Sequence, residues 1–159
     1  MEIKTFDELF MRRCIELSQL SVDAGDAPFG SLIAIEDTLL VEGLNDYKTK
    51  VTEHAEIVAL NKAHQALGSS DLSACTLYTS CEPCPMCSFM IREFKIKRVV
   101  FALHSPHMGG YSKWSILEDE KLGNIQPFFA KAPIVLPGYL EHEAKSVMDK
   151  TVFGQFFGK

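Results

Sequence analysis

The stretch CTLYTSCEPCPMCSFMIREFKIKRVVFAL, residues 75–103, decides how this chain is built. Cys75–Thr79 reads as a strand. Pro85–Phe94 reads as a helix, with Pro85 in the first turn, where proline's missing N–H is tolerated. Arg98–Leu103 reads as a second strand. A strand, a helix and a strand in close succession imply a sheet covered by helices on both faces, largely parallel in this half of the chain.

Outward from that unit the pattern continues. On the N-terminal side Phe6, Leu9, Phe10, Cys14, Leu17 and Leu20 recur at three- and four-residue spacing, which predicts an amphipathic helix over Thr5 to Asp23. Gly25 supplies its stop, with Pro28 beyond. Phe29–Ile35 and Leu39–Gly43, the second run extending to Leu44, read as a β-hairpin around Glu36-Asp37. Thr52 is placed to cap a helix starting near His54 and ending at Gly68. On the C-terminal side His104–Ser112 reads as a loop with Pro106 and the pair Gly109-Gly110. Ser115–Leu122 reads as a short helix, Ile134–Leu136 as a short strand, and Glu141–Phe157 as a terminal helix with an aromatic end.

The bulk composition narrows the function classes. The chain has 159 residues, 47% hydrophobic and 23% charged, which suits one domain of an ordinary globular protein. Its apolar runs are too short to span a bilayer. Met1–Phe10 carries Glu2, Asp7 and Glu8 and reads as no secretion signal, so a cytoplasmic location is expected. The formal net charge of −5 argues against a dedicated nucleic-acid binder. Lys95, Lys97 and Arg98 form a small basic cluster, expected to be a solvated turn. The cysteines are five, an odd number. Three of them, Cys81, Cys84 and Cys87, crowd into seven positions, which points to metal chemistry over a disulfide framework.

Two segments carry the chemistry: Thr52-Glu53-His54-Ala55-Glu56, and Thr79-Ser80-Cys81-Glu82-Pro83-Cys84-Pro85-Met86-Cys87. His54-Ala55-Glu56 alone is a weak signal; Cys84-Pro85-Met86-Cys87 alone is stronger, its spacing suiting zinc or a redox pair; together the two are specific. His54, Cys84 and Cys87 are imidazole and thiolate ligands suited to one Zn²⁺ per chain, and three protein ligands leave a fourth position open, the mark of a catalytic site. His54 and Glu56 are two apart and do not share a helix face. Both reach one metal only if the site sits over the helix N-terminus. Cys84 and Cys87 also fall at a helix start, so two helix N-termini are expected to face the zinc and to favour thiolate there. Glu56 is then placed to shuttle protons as the catalytic acid–base. An alternative of another class stays open: Cys81 joins the set, making a closed Cys₃His site in a non-catalytic structural module.

The pair of segments matches H-x-E…P-C-x-x-C, the known signature of zinc deaminases. The chain resembles the cytidine and deoxycytidylate deaminase superfamily, in the branch of guanine deaminases and bacterial tRNA adenosine deaminases. The resemblance runs through Pro28-Phe29-Gly30, Asn45, both zinc segments and Arg98-Val99-Val100-Phe101. It implies an α/β fold, a three-layer αβα domain with a five-stranded mixed sheet spanning residues 1–159, and a homodimer. It also implies a hydrolase acting on C–N bonds of cyclic amidines, in which water activated by zinc displaces ammonia from a nucleobase-like ring. The expected substrate contacts are Asn45, Phe29, Ala55, Trp114 and His104: an amide to read a heterocycle edge, and flat rings to stack on it or wall it. Pro28-Phe29-Gly30 looks more like guanine deaminases, so a guanine-like or related purine or pyrimidine base is the expected substrate. The tRNA wobble-adenosine deaminases are the alternative, with tRNA as partner; the acidic net charge and the lack of a basic C-terminal tail count against it. Phe153, Phe156 and Phe157 are expected to pack on the body or on a partner copy, or to cap the site.

Overall fold

Side chains of successive strand residues point to opposite faces of a sheet, and each central strand of this chain is apolar on both. In the computed structural model, which describes residues 2–157, five strands form one mixed sheet in the order β2-β1-β3-β4-β5. They are β1 (Gly30–Ile35), β2 (Thr38–Leu44), β3 (Thr76–Cys81), β4 (Arg98–Leu103) and β5 (Ile134–Leu136). β1 runs antiparallel to β2 and β3, whereas β3, β4 and β5 are mutually parallel. The helices are α1 (Asp7–Asp23), α2 (Ala55–Leu67), α3 (Pro85–Glu93) and α4 (Glu141–Met148).

The alternation sorts the core into two layers. Leu32, Ala34, Tyr78, Val100 and Ala102 face α1 and α4, packing with Phe10, Met11, Cys14, Ala144 and Met148. Ile33, Leu77 and Val99, one residue out of phase, face α2 and α3, packing with Ala59, Leu60, Ala63 and Ile91. The fold is therefore the expected three-layer αβα with a five-stranded mixed sheet. A one-residue slip in any central strand would exchange the two layers, so the register is tightly specified.

Four local expectations are corrected. The α2 N-cap is His54, in extended conformation, and not Thr52. Ser115–Leu122 is not a helix; the nearest helical turn is a 3₁₀ turn at Leu122–Asn124. The reason is that its backbone groups are taken by tertiary partners. The amides of Ile116 and Leu117 donate to the carbonyl of Gly110, and the carbonyls of Ile116 and Asp119 accept from the buried guanidinium of Arg92, each at 2.8 Å. The terminal helix divides: α4 stops at Met148, and a 3₁₀ turn follows at Val152–Phe156. Thr151 separates them, its hydroxyl donating to the carbonyl of Met148 and accepting from the amide of Phe153, as a cap residue does. Finally, Arg98 is buried and not part of a solvated basic turn.

Arg98 is buried because it has a partner. Its two terminal nitrogens donate to the two carboxylate oxygens of Asp7, both at 2.7 Å, and the Tyr78 hydroxyl donates to the same carboxylate at 2.7 Å. This bidentate pair ties the first turn of α1 to the start of β4. Burial alone pushes the Asp7 carboxyl up, but the Arg98 guanidinium, the Tyr78 hydroxyl and the Lys4 amide outweigh it and hold it below the ordinary aspartate range. A carboxyl depressed in the folded state stabilises above its unfolded pKa, and that contribution disappears as the pH falls through the folded value. Asp7→Asn leaves Arg98 buried without its counter-charge and is expected to cost about 3–5 kcal/mol at neutral pH. Urea denaturation checks this, and the gap between wild type and variant is expected to narrow as the pH is lowered through the acidic range.

Candidate metal centre and active site

A helix N-terminus presents unpaired N–H groups and partial positive charge, and two such ends meet at the carboxyl end of β3. His54 is the N-cap of α2, and Cys84 is the N-cap of α3 with Cys87 in that helix's first turn. The caps carry extended backbone, with ψ of 152° and 171°, which turns both side chains out of their helices. His54 Nδ1 lies 3.6 Å from the sulfur of Cys84 and 3.6 Å from that of Cys87. The three donor atoms all lie within 4.8 Å of one another. Tetrahedral zinc with bonds of about 2.3 Å to sulfur and about 2.0 Å to nitrogen separates such ligands by roughly 3.5 Å, so this set fits the ion. Among the described residues the donor set consists of these three; Cys81 stands outside it, which removes the basis for the closed Cys₃His alternative.

The three donors are electrostatically coupled. The hydrogen bond from the Cys87 thiol, with the neighbouring His54, pulls the Cys84 thiol down to about 4 against the opposing effect of burial. Donating that bond, together with burial, pushes Cys87 up. The bond to Cys84 likewise raises His54. Glu56, two residues into α2, is buried. Its Oε1 accepts from the Thr79 hydroxyl at 3.2 Å, and its Oε2 lies 3.6 Å from the Cys87 sulfur. Burial, then the negative charge at Cys84, pushes its carboxyl above the ordinary glutamate range. One oxygen is thus anchored on β3 and the other faces the Cys87 sulfur at the metal position.

Above the ligands lies a cavity of about 380 Å³. Its floor is polar, with His54, Glu56 and Cys84; its walls are apolar, with Phe29, Met108, Phe153, Phe156 and Phe157. Phe29 meets Phe153 edge-on at 6.1 Å and lies 6.5 Å from Phe157, so the C-terminal segment closes back over the β1 end of the cavity.

Of the residues singled out in the sequence, the structure places His54, Glu56, Cys84 and Phe29 in the lining of this cavity, with Cys81, Phe153, Phe156 and Phe157, and sets Cys87 outside the lining beside His54 and Glu56. Four others are not in its lining. Asn45 is buried, donating through Nδ2 to Asp26 at 2.8 Å and accepting through Oδ1 from the amide of Ala55 at 3.2 Å. It joins the end of β2 to the first residue of α2. Ala55 is fully buried behind it. His104 stacks edge-on against Phe101 and places Nδ1 3.3 Å from Glu141. Trp114, expected as a wall, is 56% exposed. Lining residues that the sequence reading gave no role are Glu82, Ser105 and Met108. Glu82 lay inside the zinc segment, and only its position beside Cys84 hinted at it.

Residues 4–103 match the family described as the cytidine and deoxycytidylate deaminase zinc-binding region. Guanine deaminase of Bacillus subtilis is 42% identical over 98 residues, which are 60% of this chain and 63% of that protein. A solved structure of guanine deaminase from B. subtilis superposes with a TM-score of 0.60 at 40% identity, covering 62% of this chain and 65% of that one. A probable cytosine deaminase of Schizosaccharomyces pombe is 34% identical over 155 residues, 90% of each chain. The tRNA-specific adenosine deaminase of B. subtilis is 29% identical over 148 residues, 91% of this chain and 87% of that protein.

The three-ligand set has a direct check. Substituting alanine for His54, Cys84 or Cys87 is expected to abolish stoichiometric zinc in the purified chain, measured by mass spectrometry of the metal. Cys81→Ser is expected to retain about one zinc, since Cys81 lies outside the donor set.

Proposed function

The chain belongs to the cytidine and deoxycytidylate deaminase family, hydrolases acting on C–N bonds, and we propose that it deaminates a free nucleobase, guanine-like or a related purine or pyrimidine, releasing ammonia. The observation that carries this reading is the cavity: a polar, metal-ligating floor under a wall of phenylalanines, with a volume suited to a small heterocycle. Phe29 offers a flat face for the ring.

When bound by His54, Cys84 and Cys87, zinc supplies a Lewis acid that acidifies water at its open position. The protein's part is to move protons. Glu56 takes one proton of the attacking water on Oε2 and delivers it to a ring nitrogen; it then takes the proton left on the added oxygen and delivers that to the departing amine. Thr79 keeps Oε1 fixed while Oε2 works. The raised carboxyl lets one group act as base and then as acid. Water adds across the ring C=N bond, the C–NH₂ bond breaks, and the products are the oxo heterocycle and ammonia.

The second reading, a tRNA wobble-adenosine deaminase, draws on the likeness to the B. subtilis tRNA enzyme over nearly the whole chain. The net charge of −5 weighs against it. The chain is further proposed to act as a single deaminase domain, in the cytoplasm and as a homodimer. No helix among the described residues is long and apolar enough to cross a membrane. Met86 and Phe89, one turn apart on α3, are left open to solvent, which suits a partner copy.

The deciding assay is ammonia release by zinc-loaded protein from guanine, adenine, cytosine, their nucleosides and a tRNA anticodon stem-loop. Release from a free base is expected, with Glu56→Ala keeping zinc and losing roughly 100-fold or more of kcat. Release from the stem-loop alone would establish the RNA reading in its place. Light scattering checks the dimer: Phe89→Glu is expected to halve the measured mass, because a charge in that surface loses its hydration on association.

A further inference from the structure

We infer that Glu82 is the positioning residue of this site: its carboxylate fixes the Ser105–Ser112 loop as the cavity's wall and so sets how tightly substrate is bound, an inference that rests on the deaminase reading above. Glu82 is 3% exposed, and among the described residues it forms no ion pair. A buried carboxylate without a cation is costly unless hydrogen bonds replace its hydration. Here all the replacements come from one loop. Oε2 accepts from the Ser105 amide at 2.9 Å and the Ser112 hydroxyl at 3.0 Å. Oε1 accepts from the Tyr111 amide at 3.1 Å and the Ser112 amide at 2.6 Å. Both ends of the loop are thus drawn to a single charged group, and the span between them carries Ser105, His107 and Met108 on the cavity.

The glycine pair in that loop is explained by the same contact. A Cβ on Gly109 would land on the Glu82 carboxylate, and one on Gly110 would land on Ser88 of α3. Only glycines let the backbone close this far onto the anchor and onto the zinc-bearing helix. The Gly110 amide completes the seam, donating to the carbonyl of Pro83 at 2.8 Å. Because Glu82 joins the end of β3 to the start of α3, the wall and the metal ligands are referred to one rigid junction. A ring held over the ligands then meets His107 and Met108 at a fixed height, and binding pays little to order the loop.

The test uses the full zinc-loaded chain and two substitutions. Glu82→Gln puts an amide nitrogen where an acceptor stood, setting donor against donor. Ser112→Ala removes one bond and leaves the zinc segment untouched. Three quantities are measured: amide hydrogen exchange resolved by residue, zinc per chain, and KM and kcat on the substrate that the panel identifies. For Glu82→Gln, exchange protection at Ser105, Tyr111 and Ser112 is expected to fall about tenfold or more. Protection in β3 and β4 and the zinc content should hold. KM should rise about tenfold, with kcat falling less. Ser112→Ala should show the same pattern at smaller amplitude, and it carries the test if Glu82→Gln does not fold. Unchanged loop protection, protection lost evenly across the sheet, or a loosened loop with an unchanged KM would each overturn the inference. Wild-type silence on every free base would instead overturn the free-base reading, with KM then read on the stem-loop and the exchange result still deciding the anchor.

Discussion

Two helix N-termini brought to one point at the carboxyl end of β3 are the constraint on which this molecule depends. Ligands thirty residues apart in the chain meet because α2 begins and α3 begins at the same edge of the sheet. Partial positive charge from both ends favours thiolate at the metal position. The extended backbone at His54 and Cys84 is what turns a capping residue into a ligand: each side chain leaves its helix and faces the other helix's first turn. Neither cap position makes the usual side-chain bond to its own helix, so local helix stability gives way to the site.

The rest of the sheet keeps those two ends in place. Opposite phases of the same strands hold α1 and α4 on one face and α2 and α3 on the other. The Asp7–Arg98–Tyr78 cluster locks the far layer to the strand that runs parallel beside β3. Relative motion of β3 and β4 is thereby restrained from the side away from the chemistry.

Two buried charges of opposite sign flank α3 and shape the long segment between β4 and β5, which has little regular structure. Glu82, before the helix, collects N–H groups from its beginning; Arg92, in the helix's last turn, collects carbonyls from 116, 119 and 130. Irregular chain of this length is uncommon in compact domains and usually functional. Here it is stapled at both ends to the helix that bears two of the three ligands, while the C-terminal phenylalanines line the same cavity.

The sequence by itself determined the strands, three of the four helices to within two residues, and the pair of segments that brings His54, Cys84 and Cys87 together. Those features rest on local information: hydrophobic period, a proline at a helix start, and ligand types at fixed spacing. The tertiary structure alone decided the remainder. Helical propensity at Ser115–Leu122 yielded to Arg92 and Gly110, which lie outside that segment. The terminal helix broke at Thr151, whose hydroxyl captured both adjoining ends. Asn45, Ala55, His104 and Trp114 fell outside the cavity lining, and Glu82, Ser105 and Met108 fell within it. Whether a polar side chain meets a cavity or a neighbouring backbone depends on burial and distance between segments far apart in the chain, and neither period nor spacing encodes that.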